Sequence, residues 1–255
     1  MIANYHTHTW RCNHATGKEE DYVQAALAQG FEILGFSDHS PYFFPEGYRS
    51  GIRMKPEQLR DYCDTVHRLR KEYAEKIQLP LGLELEFYPG LIQRILPVLR
   101  DAAIEYLLLG QHFLGNEMGE PYSGKATADV TVLNRYCRQS MDAMQTGLFT
   151  YFAHPDLIHF VGDEKIYREK MREVCREAKS CALPLEINML GLWSGRQYPN
   201  PVFWELAAEE GCPVVIGCDA HAPEHLQKCD TEQKVLEMIR TLGLPLLEKI
   251  PLRNI

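Results

Sequence analysis

The 255-residue chain carries no CxxC pair, although it has eight cysteines, at positions 12, 63, 137, 175, 181, 212, 218 and 229. That spacing speaks against a zinc knuckle, and thiols so scattered are expected to stay reduced in a cytoplasmic protein. No apolar run approaches the ~20 residues that span a bilayer. Nothing in the opening residues has the pattern of a signal peptide. Cations are scarce too, with 27 Lys and Arg against 35 Asp and Glu and a formal net charge of −8. This argues against long nucleic acid or an anionic membrane as the main partner, since both demand clustered positive charge. A small anionic substrate stays open, because a bound metal inverts the local field. Neither GxGxxG after the first apolar segment nor GxxxxGKS/T occurs, so the usual phosphate-cradling loops of open α/β sheets are missing.

What the chain does contain is a rhythm. Hydrophobic residues make up 45% and charged residues 24%, ordinary values for a soluble globular protein. Seven short apolar runs stand out: IANYHTH, FEILGFSDH, LPLGLELEF, IEYLLLGQH, LFTYFAHP, LPLEINM and CPVVIGCDAH. Stretches of helical spacing separate or follow them, at 17–30, PEQLRDYCDTVHRLRKEYAEK, 89–102, 128–146, DEKIYREKMREVCREAKSCA, PVFWELAAEEG and TEQKVLEMIRTLG. Nearly continuous apolar strands alternating with amphipathic helices predict a parallel sheet with helices on its faces. No linker or shift in composition interrupts the series, so residues 1–255 are expected to form one domain.

Seven of the ten histidines fall at or just past a strand end. The first strand ends in His6 and His8, with His14 in the loop beyond. The second ends at Ser37-Asp38-His39, the fourth at Gly110-Gln111-His112 and the fifth at Ala153-His154-Pro155. The seventh runs into Asp219-Ala220-His221, while the third supplies Glu84 and Glu86. In a parallel β/α barrel all strand C-termini meet on one face, where the active site is built. A closed or distorted barrel therefore gathers residues scattered over two hundred positions. Imidazole and carboxylate are ligands of Zn, Fe and Mn, with no thiolate required. His6 and His8, two apart in an extended segment, point to the same side and can share one ion. Taken singly, each histidine is better read as a hydrogen-bonded structural residue, and Glu84 or Asp219 as a cap. Those bland readings would all have to hold together, on six strands at one end. His67 is expected on a solvated helix face, and no role is assigned to His225.

With HTHT…H, SDH, GLELE, GQH, AHPDL and GCDAH in this order, the chain resembles the PHP (polymerase and histidinol phosphatase) superfamily. Within it, the histidinol-phosphatase branch is the nearer likeness, over residues 6–221. The resemblance implies an α/β fold, a distorted TIM-like (β/α)7 barrel, holding three divalent metal ions, Zn, Fe or Mn. It implies His6, His8, Glu84 and Asp219 around the first ion, with Glu84 bridging to a second that adds His112 and His154. His14, His39 and His221 would hold the third. Glu84 is chosen over Glu86 because it follows the family's Gly-x-Glu pattern, leaving Glu86 to face substrate or back up a ligand.

Clustered ions of this kind lower the pKa of a shared water and neutralise charge building on a phosphoryl group. An arginine is expected beside them, since its planar fork matches phosphate oxygens. Similar phosphatases carry one in the loop after a Glu-x-Asn strand end, which here gives Arg196 after Glu186-Ile187-Asn188. Arg49 and Arg53, in the loop SPYFFPEGYRSGIR, are further candidate phosphate contacts. Where relatives carry basic residues after HPDL, this chain has His159-Phe160, and Asp38 and His159 are the candidates for the leaving-group acid. The expected reaction is hydrolysis of a small phosphorylated metabolite, L-histidinol phosphate first among monoesters, in histidine biosynthesis. Three alternatives are a phosphodiesterase, a binuclear amidohydrolase and a metal-bound module without catalysis. The acidic chain disfavours the first. The absence of lysine in IEYLLLGQH disfavours the second, and the full set of nine ligand candidates disfavours the third.

Overall fold

The computed structural model describes residues 1–227 and 230–255. Seven parallel strands form its centre: β1 (Ala3–Asn4), β2 (Ile33–Leu34), β3 (Gly82–Leu85), β4 (Tyr106–Leu109), β5 (Tyr151–Phe152), β6 (Leu185–Asn188) and β7 (Val214–Gly217). Every strand residue is buried, as expected where helices cover the outside and side chains fill the inside. Continuous pairing runs from β3 through β7 in chain order, and β1 pairs separately with β2. Shorter contacts join these two sheets into a ring. Leu34 and Phe36 donate backbone N–H bonds to Gln78 and Pro80, ahead of β3. On the other side, His8 N–H reaches Ala220 O at 2.9 Å and Ala220 N–H reaches His6 O at 3.1 Å. The α/β barrel is therefore closed and distorted, with its seams at β2–β3 and β7–β1.

Alternation along the strands divides the apolar residues. Tyr106 and Leu108 of β4 join Tyr5, Tyr151 and Val215 in one buried cluster, whereas Leu107 and Leu109 join the large cluster under the helices. Period-two side chains produce this split. The helices are α1 (Glu19–Ala28), α2 (Leu59–Glu72), α3 (Ile92–Asp101), α4 (Val130–Gln145), α5 (Glu164–Ser180), α6 (Met189–Trp193), α7 (Pro201–Glu210) and α8 (Asp230–Leu242). Asp129, Asp163 and Asn200 cap α4, α5 and α7 by accepting N–H bonds from the first turn. Each such cap contributes roughly 1 kcal/mol.

The helices expected from spacing are all present, most of them trimmed at their ends, while α8 starts at Asp230, one residue before the expected stretch. One was not expected: the stretch after the sixth strand turns at once into α6, because Asn188 Oδ1 accepts the Gly191 N–H at 3.0 Å. At the end of the chain Ile250 packs into the Tyr5–Tyr106 cluster, so residues beyond α8 seal the barrel floor. Among the described residues no helix is long and apolar enough to cross a membrane. The seven described cysteines are free thiols, and Cys229 lies outside the described residues.

Candidate metal centre

The nine expected ligands converge at the C-terminal ends of the strands. Glu84, in β3, is the hub. Its Oε2 lies 3.6 Å from His6 Nε2, 3.6 Å from His8 Nε2 and 2.9 Å from His39 Nδ1. Its Oε1 lies 2.9 Å from His154 Nε2 and 3.6 Å from His112 Nε2. One carboxylate thus presents an oxygen to each of two histidine groups. Asp219 Oδ1 completes the first group, 3.1 Å from His8 Nε2 and 3.6 Å from His6 Nε2. A tetrahedral ion with bonds of about 2.0–2.1 Å has ligand–ligand edges of about 3.3 Å, and these separations bracket that value.

A third group stands outside the first two. His14, His39 and His221 bring their ring nitrogens within 4.8 Å of one another. His14 Nδ1 lies 2.8 Å from Cys12 O and His221 Nδ1 3.0 Å from Asp219 O. Those carbonyls accept only from N–H, so both neutral rings carry their proton on Nδ1. Their bare Nε2 lone pairs then face each other at 3.1 Å, which calls for a cation between them.

Two other imidazoles, His6 and His112, are aimed in a similar way. Glu186 Oε1 accepts from His6 Nδ1 at 2.8 Å and from the Tyr151 hydroxyl at 3.2 Å, and its Oε2 accepts from the His154 backbone N–H at 3.0 Å. Glu86 Oε1 accepts from His112 Nδ1 at 3.0 Å. Such contacts orient a ligating ring and raise its basicity. Two glycines make room for the carboxylates: a Cβ at Gly110 would meet Glu84 Oε1 at 2.1 Å, and one at Gly217 would meet Glu186 Oε1 at 1.7 Å. His154 and Asp219 both hold positive φ, 34° and 51°. Non-glycine residues held there are strained, and such strain collects at functional sites.

Several buried polar atoms have no hydrogen-bond partner among the described residues: both Glu84 oxygens, Asp219 Oδ1, His6 Nε2, both His8 nitrogens, His39 Nδ1 and His154 Nδ1. Orphans in this number are foreign to a folded interior, and divalent cations are what their donor set fits. Burial opposes charge on His6, His8, His39 and Glu84, and its balance with neighbouring charge decides each outcome. At His6, Glu186 and Asp219 overcome burial and lift the ring well above its usual range. At His8, Asp219 and Asp38 do the same and raise it to about 9. At His39 burial outweighs Glu84 and takes the ring down to about 4. Against burial, His112, His39 and His6 hold Glu84 well below the carboxylate range. The Glu84–Asp219 side of the pocket thus favours positive charge.

The groups open into one cavity of about 450 Å³. Arg196 lines it and donates to the Tyr198 hydroxyl at 3.1 Å. Its loop is pinned by Asp156, which accepts from Asn200 N–H at 2.6 Å and Trp204 Nε1 at 2.9 Å. Phe113, Tyr122, Ile52 and His225 form other parts of the wall. The remaining candidates lie elsewhere. Asp38 is buried behind the metal group, 3.4 Å from His8 Nδ1 and bonded to the Thr9 hydroxyl. His159 and Arg49 are absent from the cavity lining. Arg53 and Glu86 are buried against each other, so neither offers a free group to phosphate. Arg53, a candidate phosphate contact, is instead drawn inward because a second carboxylate, Glu117, lies against it, while Arg49 stays exposed. Glu186, Glu117, Asp156 and His225 were not singled out as site residues. Glu186, inside the Glu-x-Asn strand end, and Asp156, inside AHPDL, carried a signal in the sequence.

The arrangement has known counterparts. The PHP domain family matches residues 4–189. The chain belongs to the PHP domain family. This PHP domain chain is 33% identical to a "probable histidinol-phosphatase" of Deinococcus radiodurans over 232 residues, 87% of each chain. It is 25% identical to the histidinol-phosphatase of Bacillus subtilis, covering 85% of this chain and 92% of that one. Its fold matches histidinol phosphate phosphatase from Lactococcus lactis, a crystal structure with zinc, L-histidinol and phosphate, at a TM-score of 0.76. That match has 20% identity and covers 98% and 96% of the two chains.

Proposed function

We propose that this PHP domain chain hydrolyses a small phosphate monoester, L-histidinol phosphate, to L-histidinol and inorganic phosphate, as a step of histidine biosynthesis. The observation that carries the reading is the two-sided Glu84 carboxylate among seven histidines and Asp219 at the floor of a cavity sized for a metabolite. The names of its relatives support the substrate. We assign three divalent ions, Zn, Fe or Mn: one to His6, His8, Glu84 and Asp219, one to Glu84, His112 and His154, one to His14, His39 and His221. What such ions supply when bound is an activated water and counter-charge for phosphate oxygens.

The chain's own residues do the rest. Glu186 and Glu86 keep His6 and His112 turned toward the cavity by accepting their Nδ1 protons. Arg196, on a loop anchored by Asp156, presents its guanidinium to phosphate oxygens from the wall. Phe113, Tyr122 and Ile52 offer an apolar wall to an organic leaving group and exclude water from it. A cytoplasmic setting suits the free thiols. Residues 1–255 act as one domain, since the first and last strands complete one ring.

The test is phosphate release from L-histidinol phosphate beside a panel of other monoesters and a diester, after loading with Mn or Zn. Turnover of histidinol phosphate well above the panel is expected. No release from any monoester by metal-loaded protein would reject the reading.

A further inference from the structure

Arg53 belongs to the loop between β2 and α2, yet it is 1% exposed. Its guanidinium is saturated. Nη1 donates to Glu86 Oε2 at 2.8 Å and to Ser40 O at 3.1 Å, and Nη2 to Glu86 Oε1 at 3.0 Å. Nε and Nη2 both reach Glu117 Oε2, at 2.8 and 2.6 Å. The rings of Tyr42, Phe44 and Tyr88 surround it, with centroids 5.6–5.9 Å from Cζ.

Its partners lie at places that matter to the cavity. Glu86 is the acceptor that orients His112. Glu117 sits in the loop after β4, whose Phe113 and Tyr122 line the wall. Arg53 itself follows Gly51 and Ile52, which line the opposite lip. Its carbonyl accepts from Asn13 Nδ2 at 3.2 Å, beside His14. One guanidinium therefore joins two cavity loops to the support of a metal-facing imidazole.

A buried ion triad of this kind adds little stability over an apolar replacement, because desolvation offsets its Coulomb energy. What it does provide is geometry: a planar fork grips two carboxylates in fixed directions, which a lysine ammonium does not. We propose that Arg53 is a positioning residue, holding Glu86 against His112 with one side of its fork and locking the 41–54 and 113–123 loops together through Glu117 with the other. The proposal rests on the metal-dependent reading above, but has readouts of its own.

The two arms separate by mutation. Arg53→Lys keeps the charge and loses the fork, so it is expected to weaken the ion assigned to Glu84, His112 and His154 roughly 10–100-fold and to speed amide exchange in both loops. Glu117→Gln leaves the Glu86 arm intact. It is expected to keep the wild-type metal affinity, raise KM about threefold to tenfold, leave kcat near wild type and speed exchange in the same loops. Metal titration, hydrogen exchange and a kcat-against-KM comparison read these out, with circular dichroism to confirm the fold. A folded Arg53→Lys protein with wild-type metal affinity and loop exchange overturns the proposal. If Arg53→Lys does not fold, Glu117→Gln decides, and wild-type exchange in both loops overturns it. Failure of the wild-type chain to bind ions or release phosphate would instead sink the functional reading.

Discussion

At the scale of single residues, the centre includes four imidazoles, His6, His14, His112 and His221, whose far nitrogens are already engaged. His14 and His221 are the clearest pair, because two backbone carbonyls force both Nε2 lone pairs toward each other. His14 is also exposed, and its ring nitrogens meet Cys12 O and His221 Nε2 rather than Glu84, so its loss leaves the Glu84 hub untouched. His14→Ala is expected to lose one ion per chain and keep the ions around Glu84, as read by elemental analysis after dialysis. Loss of all metal together would show that the outer group is not separate. Glu86 and Arg53 carry a different lesson: charged residues that face away from substrate can still decide where a ligand points.

At the scale of elements, strands rather than loops fix the hub. β3 and β4 run side by side, with Glu84 opposite Leu108 in the register, and Gly110 just beyond leaves space for the carboxylate. Gly110→Ala would place a methyl 2.1 Å from Glu84 Oε1. The carboxylate is the end of a flexible side chain and can swing away, so the fold should survive while the hub is displaced. The expected outcome is a folded protein whose metal content and turnover fall together. Retention of wild-type metal content would show that Glu84 tolerates the displacement. The α5 cap, in contrast, adds stability without entering the cavity: Asp163 accepts the Lys165 and Ile166 N–H bonds and is absent from the lining.

At the scale of the whole molecule, the barrel mouth concentrates buried groups that repel or starve one another without a cation. Ions that bind the folded chain and not the unfolded one stabilise it by mass action, about 2.7 kcal/mol at a hundredfold excess over Kd. Chelation is therefore expected to lower Tm by several degrees, and added Mn or Zn to restore it in a concentration-dependent way, measured by calorimetry. The ligating rings must be neutral, and His8, raised to about 9, competes for a proton already at neutral pH, so metal affinity should fall progressively as the pH drops from about 9. A Tm indifferent to chelation of bound metal would contradict this account of the orphaned atoms.

Much of this was legible in the linear chain. Alternating apolar runs and helical spacing specify a parallel β/α arrangement, and histidines placed at run ends need only that arrangement to meet. Strand-end chemistry is local in sequence, since each ligand sits next to the apolar run that carries it. The partners of those ligands are not local. Arg53 reads as a solvated loop cation until the fold sets Glu86 and Glu117 on either side of it. Glu186 reads as one strand residue among others until Gly217 leaves it room to reach His6. The sequence by itself determined the parallel β/α alternation and the strand-end placement of the histidines, because period and spacing are properties of neighbours along the chain. The division of those residues among ions is what the family resemblance implies. Only the tertiary structure decided which charges face the cavity and which are spent holding the ligands in place, because desolvation and ion pairing depend on who lies across the fold.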